Sequence, residues 1–333
     1  MKAATLAPLI ALALLAGCSN GTSVQSALPQ TQAPASGATA SERSGSGGLT
    51  HLYNLDYSNG TITVFSIQNH KAKVSAKFTP GSASGGAQGL AADQYGNIYT
   101  TLTESSGSPC TACVQLYSNT GQLERQLDAP ILPGASGSPS LTDLSVDAQD
   151  DVYVSDFGQD AVYFFYRARM MKRGPTIVVQ NYHNAASVLS QPDGNNVLVS
   201  GGCGFASVAP FTRSGHGKRS KYTQGSCFGI GTIALIGGAV DDQEEVMTPV
   251  DGVPGLVSVS SPNGGTTIQV PDRLGSMSGV AFNSDASIAY LADAHKEIVY
   301  AYARPANGWI SGKPKLLETY KGFKNLDIIA VPQ

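Results

Sequence analysis

The chain has 333 residues, with 21 Lys and Arg against 24 Asp and Glu, a formal net charge of −3, and charged residues at only 14%. So weak and slightly acidic a balance excludes a broad positive field of the kind that holds nucleic acid. Gly is abundant at 38 residues, and Tyr at 14 outnumbers Trp at 1, which suits a turn-rich all-β protein.

Met1 and Lys2 are followed by an almost uncharged stretch from Ala3 to Ala16, closing with Leu15-Ala16-Gly17-Cys18. A positive start, an apolar core of about 7–15 residues and small residues before a cut describe a secretory signal. A membrane helix would need about 20 apolar residues, yet polar Ser19, Asn20 and Gly21 follow at once. Leu15 to Cys18 resemble the lipobox of bacterial lipoproteins. That resemblance implies cleavage before Cys18, a diacylglycerol on its thiol and usually a further chain on the freed amine, an attachment that two or more acyl chains make stable. Ser19 stands where an Asp would resemble an inner-membrane retention signal, so the outer membrane is expected where a cell has two membranes. From Ser19 to about Gly48 the chain is Ser, Gly, Ala, Thr, Gln and Pro with almost no large apolar residue. It reads as a flexible tether, and residues 49–333 as the folded domain.

Along that domain a single pattern recurs: an apolar run, an Asp/Asn/Gly turn, a β-branched or Tyr-rich run, a variable loop and a third run with aromatics. His51 to Asp56 and Thr61 to Ile67 match the second and third runs, with no first run before them. Gly89 to Ala92, Ile98 to Thr101 and Val114 to Tyr117 form a full copy, as do Asp143 to Asp147, Val152 to Asp156 and Ala161 to Tyr166. Weaker copies centre on Val197 to Ser200 with Val208 to Phe211, and on Val246 to Thr248 with Leu256 to Val259. The last is Gly279 to Phe282, Ile288 to Asp293 and Glu297 to Tyr302, followed by the missing first run, Leu326 to Val331. Markers at Tyr53, Tyr99, Tyr153, Leu198, Met247 and Tyr290 are spaced by 46, 54, 45, 49 and 43 residues. Periods near 40–50 residues with several short strands per unit indicate a β-propeller. The expectation is an all-β, six-bladed ring in which the C-terminal strand pairs into the N-terminal blade, hiding two sheet edges; the alternative is two β-sandwich domains.

Gly89-Leu90-Ala91-Ala92-Asp93 with Gly96-Asn97-Ile98-Tyr99, and Asp151-Val152-Tyr153-Val154-Ser155-Asp156, resemble the NHL, YVTN and SMP-30/gluconolactonase-like six-bladed propellers. The resemblance spans nearly all of the folded domain and concerns blades, which leaves function open. For a calcium-dependent lactonase it would imply oxygen ligands around the central channel. Asp293 matches the blade-end Asp of that family, but Ser278-Gly279 replaces the usual Asn-Gly, and His51-Leu52-Tyr53-Asn54 offers no counterpart of the early Glu. A lyase resembling the streptogramin-degrading propellers would need a basic residue and a metal; His51, His70, His183, His216 and His295 sit in no distinctive motif. No nucleophile elbow, phosphate-binding glycine loop or His-Glu-x-x-His stretch is present.

Without Cys18 four cysteines remain, Cys110, Cys113, Cys203 and Cys227, an even number that in an exported chain favours disulfides with three possible connectivities. Cys110-Thr111-Ala112-Cys113 has a CxxC form that also serves redox exchange or zinc. The blade register puts Cys203 and Cys227 on loops of one face, so the expected pairs are Cys203 with Cys227 and Cys110 with Cys113. Two basic segments, Arg167 to Arg173 and Arg213 to Lys221, could meet an acidic glycan, a lipid headgroup or a partner protein, and Asp241 to Glu245 the reverse. The reading is a lipid-anchored envelope binding or scaffolding module for a protein, glycan or small molecule. It is expected to have no cofactor, with Ca²⁺ needed only under the lactonase alternative. Asp56, Asp156, Asp293 and His295 are the candidate ligand-binding residues at the loop face.

Overall fold

The structure, a computed structural model, describes residues 48–81, 87–103, 110, 112–135, 137–170, 174–230, 237–250, 253–271 and 275–332. The signal, Cys18, the tether up to residue 47 and residues 171–173 of the first basic segment lie outside them.

The recurring runs form antiparallel four-stranded groups in chain order. The first contains His51–Asp56, Thr61–Gln68 and Lys71–Phe78. The second contains Ala87–Ala92, Ile98–Thr103, Ala112–Tyr117 and Leu123–Asp128. The third contains Leu141–Val146, Val152–Asp156, Ala161–Phe165 and Thr176–Gln180. In the fourth, Val188–Ser190, Asn196–Gly201, the long Gly204–Ser214 and Lys221–Gln224 are joined by Phe228–Gly229. The fifth runs Ala239–Val240, Val246–Pro249, Leu256–Ser261 and Gly264–Gln269. The sixth runs Met277–Phe282, Ile288–Asp293, Ile298–Ala303 and Lys315–Lys321, with one helical turn, Gly308–Ser311, before its last strand.

Ile328–Ala330 supplies the inner strand of the first group. It pairs antiparallel with His51–Asp56 in the register Tyr53 to Ala330, Asn54 to Ile329 and Leu55 to Ile328. Asn54 fixes that register from both sides of its amide: Nδ2 donates to the Asn325 carbonyl at 2.8 Å, and Oδ1 accepts from the Asp327 N–H at 2.7 Å. At the outer side a parallel contact of Lys321 with Lys71 joins the first and sixth groups.

Val152–Asp156 and Ala161–Phe165 are buried at every position, as strands covered on both faces must be. Side chains alternate between faces along a strand. Val152 and Val154 accordingly pack with Tyr99, Val114 and Leu116 of the preceding group. Tyr153, Val162 and Phe164 pack with Val188, Val197 and Phe211 of the following one. Comparable cores lie between the other successive groups, and one core unites Phe65 and Leu52 of the first group with Val299 and Tyr290 of the sixth. The inner strands surround a narrow cavity of about 80 Å³ lined by residues such as Ala91, Leu144, Leu189, Val240, Val280 and Ile329.

Tyrosines tie one group to the turn of the next. The Tyr53 hydroxyl donates to the Gly96 carbonyl at 3.1 Å and that of Tyr153 to the Gly194 carbonyl at 3.5 Å. Burial, aided by the Asp93 charge, pushes Tyr53 up to about 12. It therefore stays a donor at physiological pH.

Two disulfides are present, Cys110–Cys113 and Cys203–Cys227. Both pairs consume their thiols, which removes a four-thiolate zinc site, and disulfides of this kind belong to an oxidising compartment outside the cytoplasm. No helix among the described residues is long and apolar enough to cross a membrane.

The sequence separations of the disulfides are 3 and 24 residues, so loop entropy predicts unequal contributions. Replacing Cys203 and Cys227 by Ser is expected to cost about 3.5 kcal/mol, and replacing Cys110 and Cys113 about 2 kcal/mol, read from denaturant unfolding of the two double variants.

Candidate functional site

Asp56, Asp156 and Asp293 each end a second strand, and each caps the turn that follows. Asp56 accepts from the Ser58 N–H and hydroxyl and from Asn59 Nδ2. Asp156 is fully buried and receives the N–H groups of Ser140 and Gln159, Gln159 Nε2 and the Tyr163 hydroxyl, at 2.8–3.1 Å. Asp293 Oδ1 accepts from the His295 and Lys296 N–H groups, its buried Oδ2 has no hydrogen-bond partner, and His295 is exposed. The carboxylates shape three separate hairpins, and none of the four residues lines the central cavity.

The turns between first and second strands repeat another device. Asp93 Oδ1 accepts from the N–H groups of Tyr95 and Asn97, and Asp147 Oδ1 from those of Gln149 and Asp151. Asp241 Oδ1 does the same with Gln243 and Glu245. Side chains that bond their own backbone in this way favour tight turns over continued strand. Neighbouring turns touch: Gln94 Nε2 donates to the Ala148 carbonyl, the Ala148 N–H to the Pro192 carbonyl, and Gln191 Nε2 to the Asp241 carbonyl. They form a continuous surface at one end of the inner strands. The acidic stretch Asp241 to Glu245 is partly spent there, because Arg304 pairs with both Asp241 and Glu245, while Glu245 accepts the Trp309 and Ile310 N–H groups.

On the same end the third turn departs from the second. Asn97 Nδ2 donates to Asp93 Oδ2 at 2.7 Å. The equivalent residue in the third group is Asp151, a carboxylate, and Asp147 Oδ2 is left buried without a hydrogen-bond partner, at a cost of about 1–3 kcal/mol. Asp151 instead turns toward two arginines. Its Oδ1 accepts the Arg167 N–H at 2.7 Å and its Oδ2 accepts from Arg213 Nη1 at 3.0 Å, with side-chain exposures of 1% for Asp151 and 9% for Arg213. Arg213 also donates from Nε to Ser220 Oγ at 2.8 Å and from Nη1 to the Tyr153 hydroxyl at 3.3 Å. Its guanidinium carbon lies 4.6 Å from the Phe164 ring centre, a cation–π distance.

These groups border a cavity of about 320 Å³ between the third and fourth groups, and its walls hold Tyr166, Arg167, Arg213 and His216 together with Gln149, Asp193 and Asn195. Both basic segments of the sequence thus meet at one place. Gly194 makes the wall possible: its φ is +70°, and a Cβ there would stand 2.3 Å from Asp147 Oδ2. Gly217, at φ +60°, likewise leaves room for the Tyr166 ring. Burial raises Asp147 to about 7, the Asp151 charge adding to it against the N–H groups of Asp151 and Gln149 and the Arg213 charge. Burial also raises Asp143 to about 7 against the Leu144 and Val188 N–H groups that its carboxylate accepts.

Arg167 and Arg213 are 46 residues apart, one repeat, and so occupy matching ends of third strands in adjacent groups. That spacing was the available sequence signal for the site. The partner role of Asp151 carried none.

No protein-family profile and no curated protein matches the sequence. The fold is similar to one chain of the nidogen/laminin complex, with a TM-score of 0.52, 13% identity, and coverage of 85% of this chain and 98% of that one. It is also similar to a putative 6-phosphogluconolactonase from Bacteroides fragilis, with a TM-score of 0.50, 13% identity, and coverage of 84% and 97%. These neighbours are β-propeller proteins, and the likeness is one of fold.

Two measurements test the assignments of the carboxylates. Asp156→Ala is expected to lower the unfolding free energy by about 3 kcal/mol and Asp56→Ala by less than about 1 kcal/mol, because only the first leaves buried donors unmatched. Asp143 and Asp147 hold their protons to higher pH in the folded chain than in the unfolded one. Their stabilisation is therefore complete below pH 3.8 and is lost as pH rises through about 7. Asp147→Asn should match the parent near pH 4 and exceed its stability near pH 8 by about 2–4 kcal/mol, measured by urea unfolding at the two pH values.

Proposed function

We propose that the protein is a lipid-anchored binding module of the cell envelope, built as a six-bladed propeller whose ring is closed by Ile328–Ala330. Pairing of that strand with His51–Asp56 and the shared core of the first and sixth groups support the closure. The lipobox-like Leu15 to Cys18 supports the anchor, the absence of an Asp at position 19 favours the outer membrane, and the two disulfides agree with an exported chain.

The observation that carries the binding role is the meeting of two basic segments, one repeat apart, on a polar cavity of about 320 Å³. The central channel is the weaker candidate. Calcium takes 6–8 oxygen ligands, whereas the side-chain oxygens of the narrow central lining are those of Ser145 and Ser190, hydrogen-bonded to each other at 2.8 Å. Recognition at the turn surface requires no metal and no catalytic group.

The native chain is expected to fractionate with membranes and Cys18→Ser to move it to the soluble fraction. The purified protein should carry less than stoichiometric calcium and leave aldonolactones unopened. Lactone turnover abolished by Asp293→Ala would overturn the binding role in favour of a channel hydrolase.

A further inference from the structure

We propose that the cavity between the third and fourth groups recognises an acidic saccharide, a small sugar carrying a carboxylate or a phosphate. This rests on the reading of that cavity as the recognition site and adds the chemistry of its ligand.

The count of hydrogen-bonding groups points that way. Both oxygens of Asp151 are occupied by the Arg167 N–H and Arg213 Nη1. Both oxygens of Asp193 are engaged by Asn195, through its N–H and its Nδ2. On the donor side much is unspent. Arg213 uses Nε and Nη1 on Ser220, Asp151 and Tyr153, and its Nη2 has no partner among the described residues. The exposed Arg167 guanidinium has no ion pair among them; it lies 5.4 Å from the Tyr166 ring centre. The lining balances Arg167 and Arg213 against Asp151 and Asp193, so its surplus is one of guanidinium N–H donors rather than of net charge, and such donors are met best by anionic oxygen acceptors. A guanidinium matches carboxylate and phosphate geometry better than a lysine would.

Arg213 is also held ready. Serine, carboxylate, phenol and aromatic face fix it from the other sides, so little freedom is lost when Nη2 meets a ligand. The arrangement exists because Asp151 replaces the amide that Asn97 supplies in the second group, at the expense of the orphaned Asp147 Oδ2. The fifth group makes a similar exchange, with Glu245 holding Arg304, but there the arginine also meets Asp241, whereas Arg213 keeps Nη2 directed away from Asp151 and Tyr153 without a partner among the described residues.

The rest of the wall identifies the scaffold on which the charge is carried. Among the described residues no aliphatic side chain borders the cavity, although small-molecule sites are ordinarily lined mostly by apolar groups. The Tyr166 ring has the Arg167 guanidinium 5.4 Å from its centre and Gly217 against its edge atoms. Gln149 and Asn195 present amides, which both donate and accept, the complement of neighbouring sugar hydroxyls. A volume of about 320 Å³ lies at the lower end of the roughly 300–1,000 Å³ of small-ligand pockets.

Isothermal titration calorimetry of the full chain with glucuronate, glucose 1-phosphate, glucose and inorganic phosphate tests the proposal. One or both acidic sugars should bind at least about tenfold more tightly than glucose and than phosphate. Which of the two binds decides between carboxylate and phosphate. Arg167→Ala, an exposed position that spares the fold, should weaken that binding about tenfold or more, and raising salt from ~50 to ~500 mM should weaken it as well. Arg213→Ala should abolish it, with circular dichroism reporting whether the variant is folded. Glucose binding as tightly as the acids, and lost in Asn195→Ala, would overturn the acidic ligand while leaving the cavity as the recognition site. Acid binding that survives both Arg167→Ala and Asn195→Ala would overturn the site together with its ligand. Phosphate binding as tightly as glucose 1-phosphate would overturn the saccharide, and silence from all four probes would overturn the proposal outright.

Discussion

Among the described residues the middle strands are buried along most of their length, and that constraint governs the rest. A lone four-stranded group with Val152, Val154, Tyr153 and Phe164 on its two surfaces would expose apolar side chains to water on each side. Each group therefore depends on a neighbour before and a neighbour after it, and the cores lie between groups rather than within them. The first group depends additionally on a strand from the other end of the chain. Asn54 is the residue that recognises it, since one amide reads both a carbonyl and an N–H of the incoming segment.

The ends of the strands do a different kind of work. Aspartates at the starts of turns gather backbone N–H groups and set the direction of the next strand, and those of the second, third and fifth groups do so in the same way. In the third and fifth groups a carboxylate stands where Asn97 closes the device, and it holds an arginine of the following group. Asp151 gives up the closing hydrogen bond that Asn97 makes and fastens an arginine of the following group instead. The surface at that place owes its shape to a repeat that was altered rather than to an inserted element.

Much of the strand order was legible because burial on both faces writes itself as continuous apolar runs. The marker residues from Tyr53 to Tyr290 all fall in second strands, and Leu326 to Val331 contains the strand that pairs with the first group. The outer strands escaped the repeat. Lys71–Phe78, Leu123–Asp128 and Lys315–Lys321 face solvent along much of their length, so no apolar period distinguishes them from loops. The short inner strands Val188–Ser190 and Ala239–Val240 were missed because so few residues carry no period of their own. At the candidate site the two basic segments were visible as charge, but their convergence depends on which groups are neighbours. Asp156 and Asp293 were legible as strand-end carboxylates; that Asp156 spends its oxygens on four donors is a property of the folded hairpin alone.

Asn54 and Asp327 are separated by 273 residues, and this distance imposes an order of events. Joining such remote segments requires closing a very long loop, a step whose entropic cost precedes any contact that rewards it. A chain emerging from its N-terminus cannot complete the sheet of His51–Asp56 until Ile328–Ala330 has appeared, so the first strands made wait longest for their partner. Until then the exposed edge of His51–Asp56 is open to pairing with any other extended chain.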